Sequence, residues 1–443
     1  MPESAEKDAP VVIVGGGWAG LSVAVELTRC HVPVLLLESS RQLGGRARSI
    51  RFGDAVVDNG QHLMIGAYQS LLTLMQNINI DINEVFLREP LSLSSFYHGK
   101  ASLQFRTPRL PAPFHLLAAI LFARGLGMKD QIQALRFGRH LKTLHLSADE
   151  DISVQALLHS EHQTPAMIRR LWEPLCLATL NTPIAEASAR IFLRVLQDSF
   201  LQMNQHSDLL FSRVELGNLL PVPAASWLEA HDAQTRLGER VTDLVLDNRE
   251  TLAVKIGGRE QPARHIVLAT PHIISRRLMS HYPLLKPLCD NIEQLGNEPI
   301  VTVYLQYAES VSLPQPMIGI EDGLSQWLFD RRVCGQPGLI SVVISARGKH
   351  SALDNAALGE LVIAELAKTF PGWPTPHEHL VVREKRATFS SRTGIDALRP
   401  GNRTPINGLW LAGDYTDTGL PATLEGAVRS GVNCASSILE NLQ

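Results

Sequence analysis

The sequence predicts an α/β protein of two domains, one of them assembled from separated parts of the chain. Residues 10–40, 236–272 and 405–443 each combine apolar strand patterns with glycine turns or helix signals. Two long intervals separate these regions: 100–215 is rich in helix formers, and 295–395 carries strand patterns and one amphipathic helix. We therefore expect one domain at 8–95, 215–285 and 398–443. A second, α+β domain is expected at 96–214 and 286–397.

Length and composition exclude several classes of protein. The chain has 443 residues, and at roughly 150 residues per domain two or three domains are expected. Hydrophobic residues make up 45% and charged residues 19%, which excludes a disordered chain. The net charge of −3 provides no global field that would attract nucleic acid, so a partner must be recognised locally.

The cysteines and the N-terminus indicate the compartment. Five cysteines occur without a CxxC pair or a clustered histidine partner, which favours buried thiols over disulfides and predicts no metal site. The first ten residues, MPESAEKDAP, are polar and lack the basic and apolar parts of a signal peptide. We therefore expect a cytoplasmic protein.

The first region has the order expected of a dinucleotide-binding unit. An apolar strand, Val11–Val14, runs into Gly15-Gly-Gly-Trp-Ala-Gly20, a helical stretch and a second strand that ends at Glu38. Glycines let the backbone approach a pyrophosphate at the helix N-terminus, and an acid ending the second strand can bind a ribose. This pattern predicts a Rossmann-like domain. The residues expected at the cofactor here are Gly15, Gly17, Trp18, Ala19, Gly20, Glu38 and Ser39.

A second glycine pair decides which cofactor is expected. Leu43-Gly-Gly-Arg-Ala47 follows Glu38 closely, and Arg46 can pair with a pyrophosphate oxygen or steady a flavin ring. At this point the sequence resembles the superfamily of FAD-dependent amine oxidases and carotenoid desaturases. The resemblance implies FAD as cofactor, with Gly45 and Arg46 beside it.

The C-terminal region carries the same resemblance. Gly408–Asp414 is an apolar strand closed by Gly-Asp, and Leu420–Gly431 opens a helix rich in small residues. In the superfamily this strand places an aspartate on FAD, and the positive end of the helix faces the flavin edge that gains charge on reduction. The resemblance assigns cofactor contacts to Gly413, Asp414, Thr423 and Leu424, and an adenine contact to Val241.

The segment Asp58-Asn-Gly-Gln-His62 resembles the part of the superfamily that runs beneath the flavin, so Gly60, Gln61 and His62 are expected near the ring. His62 is our first candidate for a catalytic acid and Asp58 the second, with Glu425 and Glu173 as weaker candidates. The alternative for Asp58 is that it holds backbone at the end of its loop.

The same segment, the block Trp172–Pro183 and the ending from Pro421 to Gly431 resemble one subgroup, the squalene-associated FAD-dependent desaturases that act as hydroxysqualene dehydroxylases. The resemblance implies replacement of the hydroxyl of a C30 isoprenoid by hydride from reduced FAD, giving squalene. It covers nearly the whole chain, and one departure is Leu420, where an aromatic residue is expected. Alternatives are an isoprenoid desaturase that oxidises its substrate, an amine oxidase, or a non-catalytic flavin- or lipid-binding partner. No second nucleotide fingerprint occurs, so the electron donor is unidentified.

The most apolar run, Phe114–Ala123, precedes a basic, helical pattern at Met128–His145. The run is too short to span a bilayer of about 30 Å. These helices, near 111–145, are either a core pair or elements that line a lipid tunnel and touch the inner face of the cytoplasmic membrane. With a net charge of −3, we expect that contact to rely on apolar burial more than on anionic headgroups.

Overall fold

The computed structural model describes residues 9–246 and 252–442. Residues 8 and 443, at the outer bounds of the predicted domains, lie outside this part of the chain. So do Asp247 and most of the N-terminal segment that was used to predict the compartment. The strands are β1 Val11–Val14, β2 Val34–Glu38, β3 Ser49–Phe52, β4 Ala55–Asp58, β5 Met64–Ile65, β6 Phe86–Glu89, β7 Ser92–Tyr97, β8 Lys100–Arg106, β9 Leu209–Ser212, β10 Gln234–Leu237, β11 Val241–Leu246, β12 Leu252–Ile256, β13 Arg259–Ala263, β14 His265–Leu268, β15 Glu298–Gln306, β16 Met317–Ile320, β17 Trp327–Asp330, β18 Leu339–Ser345, β19 Glu378–Thr388 and β20 Leu409–Leu411. The α-helices are α1 Trp18–Arg29, α2 Gln69–Asn77, α3 Ile82–Val85, α4 Phe114–Leu121, α5 Met128–His140, α6 Val154–Ser160, α7 Pro165–Met167, α8 Glu173–Leu180, α9 Ala189–Phe200, α10 Leu216–Leu219, α11 Pro221–Ala230, α12 His272–Met279, α13 Lys286–Glu293, α14 Asn355–Thr369 and α15 Leu424–Leu442.

A parallel five-stranded sheet brings the three α/β regions of the sequence together. Its order is β10-β2-β1-β14-β20, and every neighbouring pair is parallel. The strands β1 and β14 are buried along their whole length, as expected of a parallel sheet covered on both faces. The strand order reverses between β1 and β14, and ligands bind at the carboxyl ends of strands at such a switch point. The α/β fold class is therefore confirmed.

Two glycines allow helices to approach closely behind this switch point. A Cβ atom added to Gly20 in α1 would clash with the carbonyl oxygen of Gly15, and one added to Gly431 in α15 would lie 2.5 Å from the carbonyl oxygen of Ala19. Both positions therefore need glycine for close packing. The consequence is that α15 lies against α1 and brings the C-terminal region to the first glycine turn.

A mixed seven-stranded sheet forms the other large layer, in the order β19-β15-β18-β17-β16-β7-β8. It contains the predicted strands Pro299–Leu305 and Leu339–Ser345 as parts of β15 and β18, and the predicted helix at Asn355–Phe370 is α14. Strands from both predicted insertions share the sheet, and residue 96 lies inside β7. The exact domain bounds stay a prediction.

The predicted helical interval contains α4 to α9, with β8 and β9 at its two ends. The most apolar run of the sequence, Phe114–Ala123, contains α4. The basic pattern that follows it forms α5, which ends at His140 rather than at the predicted His145. Residues Ile168–Trp172 form a π-helical turn between α7 and α8. Within the described part of the chain, no helix is both long and apolar enough to cross a membrane.

Candidate functional site

The two glycine motifs lie in contact at the end of β1. The Gly44 N–H donates a hydrogen bond to the Gly16 carbonyl at 2.8 Å, and a Cβ atom on Gly45 would lie 3.3 Å from the Gly17 Cα. The indole N–H of the buried Trp18 donates to the Ala47 carbonyl at 3.0 Å. Trp18 thus holds the second glycine loop, residues 43–47, against α1. The next residue, Ala19, is also buried.

The N-terminus of α1 has the properties of an anion site. No side chain caps it at Gly17, and its first turn contains no acidic residue. A Cβ atom added to Gly17 would meet no atom within 4 Å, so the space in front of the helix is open. The turn before it needs Gly15, whose φ of 112° lies in the left-handed region. Free N–H groups and the helix dipole suit a pyrophosphate, so these residues fit FAD.

Glu38, the residue predicted to bind a ribose, ends β2 beside the first glycine turn. Its carboxylate accepts hydrogen bonds from the Gly16 N–H at 2.7 Å and from the Ser40 N–H at 2.7 Å, and the Ser39 hydroxyl donates to it at 3.2 Å. The buried Val241 begins β11, two residues after Glu239, whose N–H donates to the Glu38 carbonyl at 2.9 Å. The acid expected at the ribose and the valine expected at the adenine are therefore linked through the chain that connects β10 to β11.

Arg46 joins the two ends of the chain. Its Nη2 donates to Asp414 Oδ1 at 2.6 Å, and its Nη1 donates to the Ala387 carbonyl at 2.7 Å. Burial opposes the charge on Arg46, but the carboxylate of Asp414 outweighs this effect and raises the pKa of the guanidinium. The Gly413 N–H donates to the Ser430 hydroxyl at 2.9 Å, which ties the Gly-Asp turn to α15. The predicted cofactor residues from both ends thus converge.

A cavity of about 290 Å³ begins at this convergence. One wall comes from Arg46, the segment 59–63 and Tyr68, and another from residues 420–425 at the start of α15. Thr423 accepts a hydrogen bond from the Gly426 N–H at 3.0 Å and so caps α15, with Leu424 beside it in the wall. The remaining walls, from α8, α9 and the mixed sheet, are largely apolar.

A second cavity, of about 320 Å³, lies among α4, α5, α8 and α9. Its lining is apolar except for Arg139 and Lys142. The two cavities share wall residues, which are Leu91, Leu93, Leu175, Leu196 and Phe200. Ligand pockets usually measure about 300 to 1,000 Å³, so the adjoining cavities together suit a long apolar molecule better than either does alone.

His62 lies in the wall of the first cavity, with Nδ1 2.7 Å from the Gly60 carbonyl oxygen. In the neutral ring Nδ1–H donates this bond and Nε2 is an acceptor. Burial lowers the pKa of His62 and nearby Arg46 lowers it further, while the Gly60 carbonyl and Asp58 oppose the shift. The ring is therefore neutral at neutral pH, and donating a proton requires prior protonation at Nε2.

Asp58, the second predicted acid, does not line the cavity. Its Oδ1 accepts from the Leu216 N–H at 2.7 Å, and its Oδ2 accepts from Arg331 Nη1 at 2.7 Å. Tyr304 donates to its carbonyl at 2.8 Å. A buried carboxylate paired in this way has no access to a substrate in the cavity. The geometry thus favours the alternative weighed for Asp58, which is to hold backbone.

Gln61 extends the same network to the cavity wall. Its side-chain oxygen accepts from Arg331 Nη1 at 3.2 Å and from the Ser341 hydroxyl at 3.0 Å. Arg331 therefore holds Asp58 and Gln61, which lie on either side of Gly60, and Gln61 directly precedes His62. No local motif marks Arg331 in the sequence, because its role depends on contacts 270 and 273 positions away.

The weaker acid candidates have different positions. Both carboxylate oxygens of the buried Glu425 accept backbone N–H groups, from Ser70 at 3.1 Å and Leu71 at 3.0 Å, so Glu425 caps α2 beside the cavity. Glu173 lies outside both cavity linings. Burial and the nearby Asp322 raise the pKa of Glu173.

Tyr68 and Glu384 are two of the cavity residues that the sequence analysis did not identify. Tyr68 lines the wall, and burial together with Glu425 raises its pKa, so its hydroxyl stays protonated. Glu384 of β19 also lines the wall and accepts from the Asn59 side-chain amide at 3.3 Å. Tyr68 ends the segment that begins at Asp58 and could have been found there, whereas Glu384 belongs to no motif.

Comparison with known proteins places this site in a family. The family described as "Flavin containing amine oxidoreductase" matches residues 18–439. A hydroxysqualene dehydroxylase of Rhodopseudomonas palustris is 29% identical, with 97% of this chain and 98% of the relative covered. A 15-cis-phytoene desaturase of Glycine max is 24% identical, with 98% and 80% covered.

Solved structures show the same fold. A putative protoporphyrinogen oxidase from Exiguobacterium superposes with a TM-score of 0.71 at 17% identity, with 98% of this chain and 99% of that chain covered. Cyclohexylamine oxidase from Brevibacterium oxydans superposes with a TM-score of 0.69 at 16% identity and the same coverage. The family match begins at Trp18, within the first glycine motif, and spans the second glycine pair, Asp414 and the cavity wall, so the protein is an FAD-dependent oxidoreductase, and the chain belongs to the flavin containing amine oxidoreductase family.

Proposed function

We propose that the protein replaces the hydroxyl of hydroxysqualene by hydrogen and releases squalene and water. The observation that carries the proposal is the cavity, which begins among the predicted flavin contacts and adjoins a second apolar cavity. A C30 hydrocarbon offers few hydrogen-bonding groups, so its binding relies on apolar burial at about 0.8 kcal/mol per CH₂ before ordering costs. The names of the hydroxysqualene dehydroxylase relatives support the same substrate.

Bound reduced FAD supplies a hydride, and the chain's own residues do the rest. The glycine turns, Glu38 and the Arg46–Asp414 pair would hold the cofactor beside the cavity. Apolar walls exclude water while the C–O bond breaks and the hydride forms a C–H bond. The leaving hydroxyl needs one proton to depart as water, which requires an acid in the wall.

We assign that proton to His62. Its Nε2 is the ring nitrogen not engaged with Gly60, and protonation there makes both nitrogens donors. Because burial lowers the pKa of His62, the acid form becomes more abundant as the pH falls, and turnover of the reduced enzyme should rise with it. Asp58 and Arg331 are positioning residues for this segment.

The test compares His62→Gln with a control, His377→Gln, at an exposed position outside both cavities. Both variants are expected to keep FAD and its visible spectrum. Only His62→Gln should lose squalene formation, measured by gas chromatography of extracted product. Full turnover by His62→Gln would remove this residue from the mechanism.

The reverse electron flow is a second candidate, because phytoene desaturases also occur among the relatives. In that reaction bound oxidised FAD would accept a hydride from one carbon of a polyprenyl chain while the neighbouring carbon loses a proton to a base, which forms the C=C bond, and a quinone would reoxidise the cofactor. Incubating the oxidised protein anaerobically with a polyprenyl substrate, without quinone, separates the two reactions. Bleaching of the flavin would favour the desaturase, and an unchanged spectrum the dehydroxylase.

We further propose that the protein works at the inner face of the cytoplasmic membrane. Six large apolar side chains are exposed near the second cavity, and we call them the apolar tip: Leu110, Phe114, Leu121, Phe122, Met128 and Ile132. Phe122 is 82% exposed and Met128 77%, which is costly in water and typical of membrane or protein contact. A lipid substrate could enter the second cavity directly from a bilayer.

Vesicle flotation tests this contact. Phe122→Asp should reduce binding to vesicles, whereas Leu284→Asp, at a position that is 61% exposed outside the tip, should not. Equal loss in both variants would contradict the proposed role of the tip.

A further inference from the structure

We propose that α4 and α5 dock the protein on an anionic lipid surface, with the apolar tip in the acyl region and a surrounding group of basic side chains against the headgroups. The inference rests on the membrane contact proposed above and adds the chemistry of the lipid. It departs from the expectation that, for a protein with a net charge of −3, membrane contact relies on apolar burial more than on anionic headgroups.

The charge of the segment around the tip is the first observation. Residues 106–142 contain seven basic residues and one acidic residue, a formal charge of +6, although the whole chain carries −3. The remaining residues together therefore carry −9. We call the seven the basic rim: Arg106, Arg109, Arg124, Lys129, Arg136, Arg139 and Lys142.

The second observation is that this charge is not neutralised within the fold. All seven residues of the basic rim are exposed, and within residues 9–246 and 252–442 none has a carboxylate partner within 4.0 Å. The one acid of the segment, Asp130, uses its carboxylate to accept from the Gly127 N–H at 2.8 Å and the Thr164 hydroxyl at 2.5 Å. Asp130 thus caps α5 instead of pairing with the rim.

The third observation is that rim and tip share a surface. On α5, Met128, Ile132, Arg136 and Arg139 follow at spacings of four, four and three, which places them on one helix face. All four are exposed, while Ala134, Phe137 and Leu141 are buried on the other side.

A surface groove and the second cavity show that basic residues lie around α4. A groove beside α4 is lined by Arg106 and Arg109 together with Phe122 of the tip, and Glu89 is the carboxylate in its lining. On the other side, Arg139 and Lys142 line the second cavity opposite the α4 residues Leu116 and Leu117. Basic side chains therefore flank α4 on both sides.

This arrangement matches the structure of an anionic membrane surface. The tip can enter the interface while the rim stays at headgroup depth, where each basic residue strengthens binding about fivefold at low ionic strength. The attraction falls off within the Debye length of about 10 Å at 0.1 M salt, so the negative charge on the rest of the molecule is screened. A neutral lipid surface would leave the rim without partners.

The test measures binding of the holoenzyme to vesicles of phosphatidylcholine alone and of phosphatidylcholine with one third phosphatidylglycerol. We expect at least tenfold tighter binding to the anionic vesicles, and we expect added salt to weaken it. Equal binding to both vesicles would overturn the anionic preference and leave apolar contact intact. Binding to neither would overturn the membrane contact itself. The dehydroxylase reaction is assayed separately with detergent-dispersed substrate.

Charge-removing variants locate the effect. Arg139→Gln with Lys142→Gln, and separately Arg106→Gln with Arg109→Gln, should each weaken binding to anionic vesicles about tenfold or more. The control is Arg277→Gln with Lys368→Gln, which removes two exposed charges from α12 and α14 and should leave binding unchanged. Equal weakening by the control would show that total charge matters and would overturn the assignment to the rim. Flavin absorbance confirms that each variant is folded.

Discussion

Replacing Arg331 by methionine should destabilise the protein through a single buried ion pair. The Arg331 and Asp58 side chains are 2% and 4% exposed and are joined at 2.7 Å. Removing one member of such a pair costs about 3 to 5 kcal/mol, because the remaining charge stays buried without its partner. Asp58 would keep the Leu216 N–H as a donor, so we expect about 3 kcal/mol, near the lower end of that range.

The assay is urea unfolding of the holoenzyme followed by flavin and tryptophan fluorescence. Arg332→Met is the matched control, since this neighbouring arginine is exposed and donates to the Glu309 and Val311 carbonyls, and it should cost less than about 1 kcal/mol. The double variant Asp58→Asn with Arg331→Met leaves no buried charge and should recover part of the loss. Similar destabilisation by Arg331→Met and Arg332→Met would refute the reasoning.

Three further changes test other parts of the structure. Lowering the pH from 6.5 to 4 should destabilise the protein. Burial lowers the pKa of His265 to about 4 in the folded protein, whereas the same side chain in the unfolded chain binds a proton near pH 6.5. His265 therefore contributes about 3 kcal/mol to the free energy of unfolding above pH 6.5, and this contribution is lost as the pH falls to 4. Urea unfolding of His265→Asn should show a shallower pH slope, and an identical slope would contradict this. Phe200→Trp narrows the wall shared by the two cavities and should lower kcat/KM for hydroxysqualene about tenfold or more with FAD retained; unchanged kinetics would argue against a substrate that occupies both. Gly431→Val should force α15 away from α1 and destabilise the protein by about 1 to 3 kcal/mol, and unchanged thermal unfolding would show that the helices can adjust.

Local patterns were sufficient to predict the cofactor domain's first unit. The strand at Val11–Val14, the turn and the strand ending at Glu38 follow from apolar runs and glycines that act within a few residues. The prediction for Arg46 and Asp414 came from a family resemblance. Their contact across 368 positions has no local signal, because it depends on how α15 packs against α1.

The catalytic candidates show where sequence reasoning stops. His62 and Asp58 belong to one motif, yet His62 lines the cavity and Asp58 is turned toward Arg331. His62 and Asp58 are four positions apart, yet their side chains lie in different environments. The contact of Asp58 with Arg331, which follows the end of β17, decides which of the two side chains faces the substrate. The charge around the apolar tip was missed for another reason, since a net charge averages over the whole surface.

Single-turnover reoxidation tests the proposed reaction most directly. The purified protein is reduced with dithionite without oxygen, freed of excess reductant and mixed with hydroxysqualene, while flavin absorbance and extracted product are followed together. The proposed chemistry predicts that the yellow absorbance of oxidised FAD returns and that one squalene forms per FAD, since one hydride and one proton convert the alcohol to hydrocarbon and water. A flavin that stays reduced, with no squalene formed, would contradict it.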